Sequence, residues 1–373
     1  MKIKNNTRAF LSLVKAGLWE SEVHLLPYGD INFNEIFRLS EEQSVIGLVA
    51  AGFEYVKDLK VPKELALSFA GEALQLEQRN TAMNRFINKL INQMRAEGIY
   101  TLLVKGQGVA QCYERPLWRA CGDIDLFLDA INYDKARLSL SPFADTMEVE
   151  NTERMHQGMQ FGTWTVELHG SLRNGLWKKM NEGIDSLQSD TFCNKHVRIW
   201  DNNGTDVPLP SPTNDVLFVF THILQHFFQE GVGLRQICDW CRLLWKYNDE
   251  IDKSVLNTYI DRMGIRTEWQ TFSSLIVNEL GMPEDAIPLY DSSPRWKRKA
   301  LMVLDFIIET GNFGLNRDLS YMQTRPYLIR KFISFWRHTA DSVSYFFIFP
   351  VDSLKIWGMK MRLGLMAAMR GEG

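Results

Sequence analysis

The stretch Gly122-Asp123-Ile124-Asp125-Leu126-Phe127-Leu128 places two carboxylates one residue apart inside an apolar run. Such a run reads as a strand, and successive strand side chains alternate faces, so Asp123 and Asp125 project to the same side. Any fold of this chain must therefore bury one face of that strand and leave room for two like charges on the other. Acids held so close repel each other unless a cation lies between them. The simplest resident is magnesium, which binds through one or two carboxylates plus substrate phosphates. The pair points to phosphoryl or nucleotidyl chemistry. The plainer reading is two exposed acids on a half-buried strand. The apolar neighbours Ile124, Leu126 and Leu128 favour a central strand, which rarely exposes two acids without purpose.

The segments around this strand divide the chain into three. Residues 1–97 read as helical: Ile36, Leu39, Ile46, Leu48 and Val49 form one apolar stripe, and Leu65, Phe69, Leu74 and Leu76 another. Pro62 suits the first turn of a helix, and a long helix is expected over Glu72–Glu97, stopped by Gly98. From Ile99 the pattern changes. Tyr100–Val104 reads as a buried strand ending in the turn Lys105-Gly106-Gln107-Gly108. Asn132–Leu140 reads as a surface helix, and Asp145–Glu150, Met159–Trp164, Thr165–Leu168 and His196–Trp200 as strands. Residues 98–210 thus form a mixed unit with a small sheet. From 211 the chain returns to helix, with Ser211-Pro212-Thr213 as a cap. Helices are expected over Asn214–Gln229, Leu234–Tyr247, Lys253–Met263, Arg266–Leu280, Arg295–Glu309, Tyr327–Phe349 and Ser353–Met369. The expected fold class is α+β, a small mixed sheet embedded in a largely helical protein.

Bulk properties narrow the class. The 373 residues suffice for a sizeable core, in two domains or in one domain with a large extension. A hydrophobic content of 45% with 23% charged residues is ordinary for a soluble globular protein. No apolar run reaches the ~18 residues of a spanning helix, and no basic-then-apolar leader opens the chain. Five irregularly spaced cysteines argue against a disulfide framework, so the cytoplasm is the expected compartment. The net charge of −3 hides an asymmetry: residues 295–373 hold 13 Lys and Arg against 6 Asp and Glu, and the segment is rich in aromatics.

Chemistry gathers near the paired acids. A glycine turn after a strand, here Gly106 and Gly108, lets backbone N–H groups approach a phosphate, although it also suits an ordinary turn. A third acid would complete a two-metal site, and Glu167 is the leading candidate, sharing a strand face with His169 in Thr165-Val166-Glu167-Leu168-His169.

The run Leu103-Val104-Lys105-Gly106, then Tyr113, Arg119 and Gly122-Asp123-Ile124-Asp125-Leu126, resembles the DNA polymerase β-type nucleotidyltransferase superfamily. It is most similar to the branch called uncharacterised nucleotidyltransferases, whose later Glu-Leu-His element matches Glu167-Leu168-His169. The resemblance is specific over residues 100–170 and weaker over 213–245, where His226 and Gly233–Asp239 match. It implies a small mixed sheet flanked by helices, with Asp123, Asp125 and Glu167 as catalytic and metal-ligating residues, Glu167 doubling as a base. It also implies Mg²⁺ or Mn²⁺ and an NTP substrate; the acceptor is left open, a small molecule, a protein side chain or, less favoured, a nucleic-acid end. Gln107 stands where the superfamily has Gly or Ser, so Gln107 or Lys105 must take the phosphate contact. Lys105, Gly106, Gln107, Gly108, Arg119 and Arg235 are the expected nucleotide-binding residues. The alternative is a catalytically silent nucleotide-binding or interaction module.

Other features read more plainly. Arg119 could instead pair with Asp123 or a neighbouring acid. Arg235 and Asp239, at i, i+4, could pair with each other. His156 reads as a surface histidine and His169 as a hydrogen-bond partner of Glu167. His222 and His226 read as buried or half-buried helix histidines, and Cys238 and Cys241 as small core residues. The basic C-terminal segment, with Trp336, Phe346, Phe347, Phe349 and Trp357 among Lys331, Arg337, Lys355, Lys360 and Arg362, reads as helix packed on the acidic remainder. Nucleic acid and peripheral membrane contact are its other readings.

Overall fold

The strand of paired acids lies inside a five-stranded mixed sheet of order β1-β2-β5-β4-β3. These are β1 (Leu102–Val104), β2 (Asp123–Phe127), β3 (Thr146–Met147), β4 (His156–Phe161) and β5 (Trp164–His169). β2 runs parallel to β5, with Asp123 opposite Thr165 and Asp125 opposite Glu167. β1 lies antiparallel to β2, and β4 antiparallel to both β5 and β3. This computed structural model describes residues 5–314, 316 and 327–370.

The alternation expected for β2 sets the layers. Ile124 and Leu126 face one way with Leu103, Met159, Val166 and Leu168. They pack on Met83, Ile87, Leu90, Ile91 and Met94 of α4 (Lys63–Ala96) and on Tyr133, Ala136 and Leu140 of α6 (Ala130–Leu140). The other face carries Asp123, Asp125, Glu167 and His169. At its lower end Phe127 meets Phe192 and Phe218, with ring centroids 4.9 and 5.5 Å away.

The N-terminal helices α1 (Asn5–Trp19), α2 (Phe33–Glu42) and α3 (Ile46–Phe53) share one core with the helices that follow the sheet. These are α8 (Pro212–Gln229), α9 (Leu234–Lys246), α10 (Lys253–Met263), α11 (Arg266–Leu280) and α12 (Pro294–Thr310). α8 is buried on nearly every side, its polar Asn214, Asp215, Thr221 and His226 included. Ser211 caps it as expected. α13 (Tyr327–Ile348) and α14 (Pro350–Arg370) form a terminal helical pair. Tyr345, Ile348, Phe349 and Ile356 are buried in the same core, and the Tyr345 hydroxyl donates to the Phe227 carbonyl at 2.7 Å. Trp336, Phe346, Phe347 and Trp357 stay exposed, and the Lys331 side chain lies outside the described residues.

Several elements depart from the sequence pattern. α4 has 34 residues and starts well before Glu72. Its early turns expose Leu67 and Leu74, which breaks the stripe that marks a buried helix face. α7 (Lys178–Cys193) shows no clear apolar stripe in the sequence, because it buries only Met180, Gly183, Ile184, Leu187 and Thr191 among polar residues. β6 (Val197–Asn202) pairs with β7 (Thr205–Pro210) in a separate hairpin, β7 being disguised by Pro208 and Pro210. The β4–β5 turn falls at Gly162-Thr163, so β4 begins at His156, three residues earlier than expected.

One buried amide fastens the loop before β2 to α4. Asn80 donates to the carbonyls of Leu117 and Arg119 at 2.7 and 2.8 Å and accepts from Gln107 Nε2 at 2.8 Å. Asn80→Ala strands these partners, and a buried polar group left unsatisfied costs about 1–3 kcal/mol. Urea denaturation should show a loss of that order; a loss under about 0.5 kcal/mol, the range of neutral surface changes, would show that the loop is held by other means.

Candidate active site

The parallel register of β2 and β5 sets the geometry, because residues side by side on adjacent strands share a face. Asp125 and Glu167 are such neighbours, and Asp123 and His169 flank them on the same side. Opposite lie α8 and α9, and between sheet and helices is a cavity of about 460 Å³. Asp123, Asp125, Glu167, Lys105, Gly106, Arg119 and Arg235 all line it.

Asp125 is only 3% exposed. Its Oδ1 accepts from Lys105 Nζ and approaches His169 Nε2, both at 2.8 Å. Burial pushes this carboxyl up, but Lys105 and His169 outweigh it and hold it below the usual carboxylate range. The converse holds for the partners. Burial alone would lower Lys105 and His169, yet Asp125 keeps both above their ordinary values, with Glu167 assisting at His169. Glu167 Oε2 lies 3.2 Å from His156 Nε2 and 3.4 Å from His169 Nε2, and these imidazoles hold its carboxyl well below the usual range. Asp123 is raised, first by the charge of Asp125 and then by burial. The sheet face thus carries more negative charge than its own cations balance.

Lys105 reaches Asp125 from a strained turn. Its φ is +55°, and that of Gly106 is +39°. A β-carbon on Gly106 would lie 3.3 Å from Cys121 Sγ, so the glycine suits both the turn and the close approach to β2. Gln107 and Gly108 are not among the residues lining the cavity. Gln107 is buried against Asn80, and Gly108 lies under Leu209.

Arg119 forks onto Asp239, with Nε to Oδ1 at 3.0 Å and Nη2 to Oδ2 at 2.5 Å, while the Tyr113 hydroxyl donates to Oδ1 at 2.7 Å. Its partner is thus neither Asp123 nor a strand acid. Asp239 is thereby taken, and Arg235 Nη1 donates instead to the Ala120 carbonyl at 2.9 Å. His222 and His226 touch through their Nε2 atoms at 3.0 Å on the cavity wall. Burial and then the charge of Lys105 keep His222 well below the ordinary histidine value.

His156, read from sequence as a surface residue, is half-buried and belongs to this cluster. Among the described residues, the set of potential ligand atoms lying within 4.8 Å of one another is His156, Glu167 and His169. The signal that would have found it is the Gly162-Thr163 turn: folding the chain back there puts His156 opposite His169. Cys238 and Cys241 are buried free thiols, as expected of core residues.

A small mixed sheet with acids on one face, set in a mainly helical body, makes this an α+β protein of the nucleotidyltransferase type. Residues 29–277 match the model of the uncharacterised nucleotidyltransferase family, and with well over half of the chain covered, the protein belongs to that family. The match reaches further toward the N terminus than the motifs do. No curated protein and no solved structure matches the chain. Family membership supports a general function in nucleotidyl transfer. No helix among the described residues is long and apolar enough to cross a membrane.

The Arg119–Asp239 pair joins the loop before β2 to α9. Breaking a buried ion pair by removing one partner costs about 3–5 kcal/mol because it leaves a buried charge unmatched. Asp239→Ala should therefore lower the unfolding free energy obtained from chemical denaturation by an amount of that order, with Asp239→Asn intermediate.

Proposed function

We propose that the protein transfers a nucleoside monophosphate from a metal-bound NTP to an acceptor that is a small molecule or a protein. The observation that carries this reading is the face shared by Asp123, Asp125 and Glu167 at the wall of a cavity of about 460 Å³. The residues fit a divalent cation. Their carboxylate oxygens are hard donors of the kind Mg²⁺ and Mn²⁺ take, and the raised Asp123 marks negative charge that a cation would relieve. When bound, the metal supplies charge neutralisation to the triphosphate and lowers the pKa of an attacking oxygen.

The chain's own residues divide the remaining work. Lys105 and Arg235 bring positive charge to the cavity for the polyphosphate. Gly106 lets the turn approach without a side chain in the way. The depressed Glu167 is a weak proton acceptor, which suits it to holding a cation better than to taking the acceptor's proton. Arg119, forked onto Asp239, keeps the loop before β2 in place. The setting we favour is cytoplasmic, with five free thiols consistent with a reducing compartment. Peripheral membrane contact through the basic C-terminal helices is a subsidiary reading, and nucleic acid is not favoured.

A second reading is a nucleotide-binding module without turnover. It is favoured by Gln107, whose amide is bound to Asn80, so the turn after β1 offers no neutral polar side chain to a phosphate.

Calorimetry with Mg²⁺ or Mn²⁺ and each NTP tests the binding common to both readings. Absence of metal-dependent nucleotide binding would sink them together. Incubation with labelled NTPs, metal and a cell extract separates them: transfer of label supports the enzyme, and binding without pyrophosphate release supports the silent module. In the active case Asp125→Asn should lower transfer by more than about 10²-fold, the scale of losing one electrostatic stabiliser, with unchanged circular dichroism.

A further inference from the structure

His156, Glu167 and His169 are tied together by the sheet. His156 and His169 are register partners across β4 and β5, and Glu167 lies two residues before His169 on the same face. His156 Nε2 and His169 Nε2 stand 3.2 and 3.4 Å from the same oxygen, Glu167 Oε2. Donors bound tetrahedrally to one ion through bonds of about 2.0–2.1 Å lie about 3.3–3.4 Å apart. These two separations lie close to that edge length, and all three ligand atoms lie within 4.8 Å of one another.

The backbone beside His156 is built to hold it there. Asn151 and His156 exchange two backbone hydrogen bonds, and Met155 between them and the strand has a φ of +47°. Its carbonyl accepts from the Gly170 N–H at 2.7 Å, and a β-carbon on Gly170 would lie 2.7 Å from Met155 Cβ. A non-glycine residue in the left-handed region persists only where its surroundings impose it. Here they impose the start of β4, and with it the imidazole of His156.

We propose that His156, His169 and Glu167 form a metal centre of two nitrogens and one carboxylate, open to the cavity, that takes a first-row transition ion such as Mn²⁺ or Zn²⁺ in preference to Mg²⁺. This rests on the reading above in making Glu167 a metal ligand, and adds nitrogen donors that the acids alone would not supply. Two histidines and a glutamate with one open position are a ligand set of catalytic zinc sites. Imidazole suits transition ions, whereas magnesium favours oxygens and retains its waters. Coordination through Nε2 takes His169 away from Asp125, which keeps Lys105 as its partner.

The test uses full-length protein stripped of metal and reloaded with Mn²⁺, Zn²⁺ or Mg²⁺. Pulsed electron paramagnetic resonance on the Mn²⁺ form should show ¹⁴N coupling from directly bound imidazole, and His156→Ala should diminish it. By calorimetry, His156→Ala should weaken Zn²⁺ by about tenfold or more, at least the cost of losing a supporting residue at a metal site, while leaving Mg²⁺ binding nearly unchanged. His156→Gln, which keeps a polar partner for Glu167, should behave as His156→Ala does and controls for folding. Absence of nitrogen coupling, or Zn²⁺ binding indifferent to both variants, overturns the proposal. If Mn²⁺ binds without nitrogen coupling and is lost in Asp123→Asn, the nitrogen centre fails and the nucleotidyltransferase reading stands. If nitrogen coupling is present and no NTP binds, the reading fails and the centre stands. No binding of any of the three ions overturns both.

Discussion

Asp125 is a carboxylate buried in the middle of a sheet, and Lys105 and His169 converge on one of its oxygens and hold it below the usual carboxylate range. A buried charge without partners costs far more than a domain's net stability allows. The partners must therefore be delivered from two directions, and the fold is arranged to do so. The strained turn after β1 delivers Lys105, and β5, lying parallel to β2, delivers His169. The parallel pairing in turn needs a long crossover, which here holds α6, β3 and β4. The last of these brings His156 to the same face. One buried acid thus constrains the turn, the strand order and the crossover together.

The helical body holds this arrangement from both sides. α4 and α6 seal the apolar face of the sheet with aliphatic side chains. α8 and α9 form the roof of the cavity, with the Arg119–Asp239 pair and the Arg235 bond to Ala120 pinning α9 to the loop before β2. The N-terminal helices and the terminal helical pair join the core of the helices that follow the sheet: Phe10 and Val14 at one end and Tyr345 and Phe349 at the other belong to the core around α8.

What could be read in the sequence was whatever local periodicity controls. The alternation in Asp123–Phe127 and Trp164–His169 identified the faces of two strands, and Gly264 and Gly281, in the left-handed conformation, ended α10 and α11 where expected. Boundaries failed where local signals conflict with packing. α4 begins early because its exposed Leu67 and Leu74 mimic no single face, and β7 hides behind two prolines. The cluster around Glu167 was half legible. Glu167 and His169 share a strand face by spacing alone, but His156 joins them only through strand pairing, which depends on a turn two residues away from where the pattern suggested. Arg119 shows the other limit: its charge suggested phosphate, whereas a buried acid four helical positions beyond Arg235 claims it first.

The distribution of charge in the cavity decides which groups remain for a ligand. Arg119 is spent on Asp239, and Arg173 on Asp185. Lys105 and His169 both attend Asp125. Asp123 has no ion pair among the described residues and feels Asp125 as its strongest neighbour. Arg235 is held only by a neutral carbonyl, and its Nε finds no partner among the described residues. An unmatched acid on the sheet and an incompletely matched guanidinium on α9 therefore both line one cavity. A ligand that carries a cation at one end and an anion at the other satisfies both, whereas a purely anionic ligand would leave Asp123 repelling it. That polarity, more than the presence of any single motif, is why a metal-bound polyphosphate suits this cavity better than a free one.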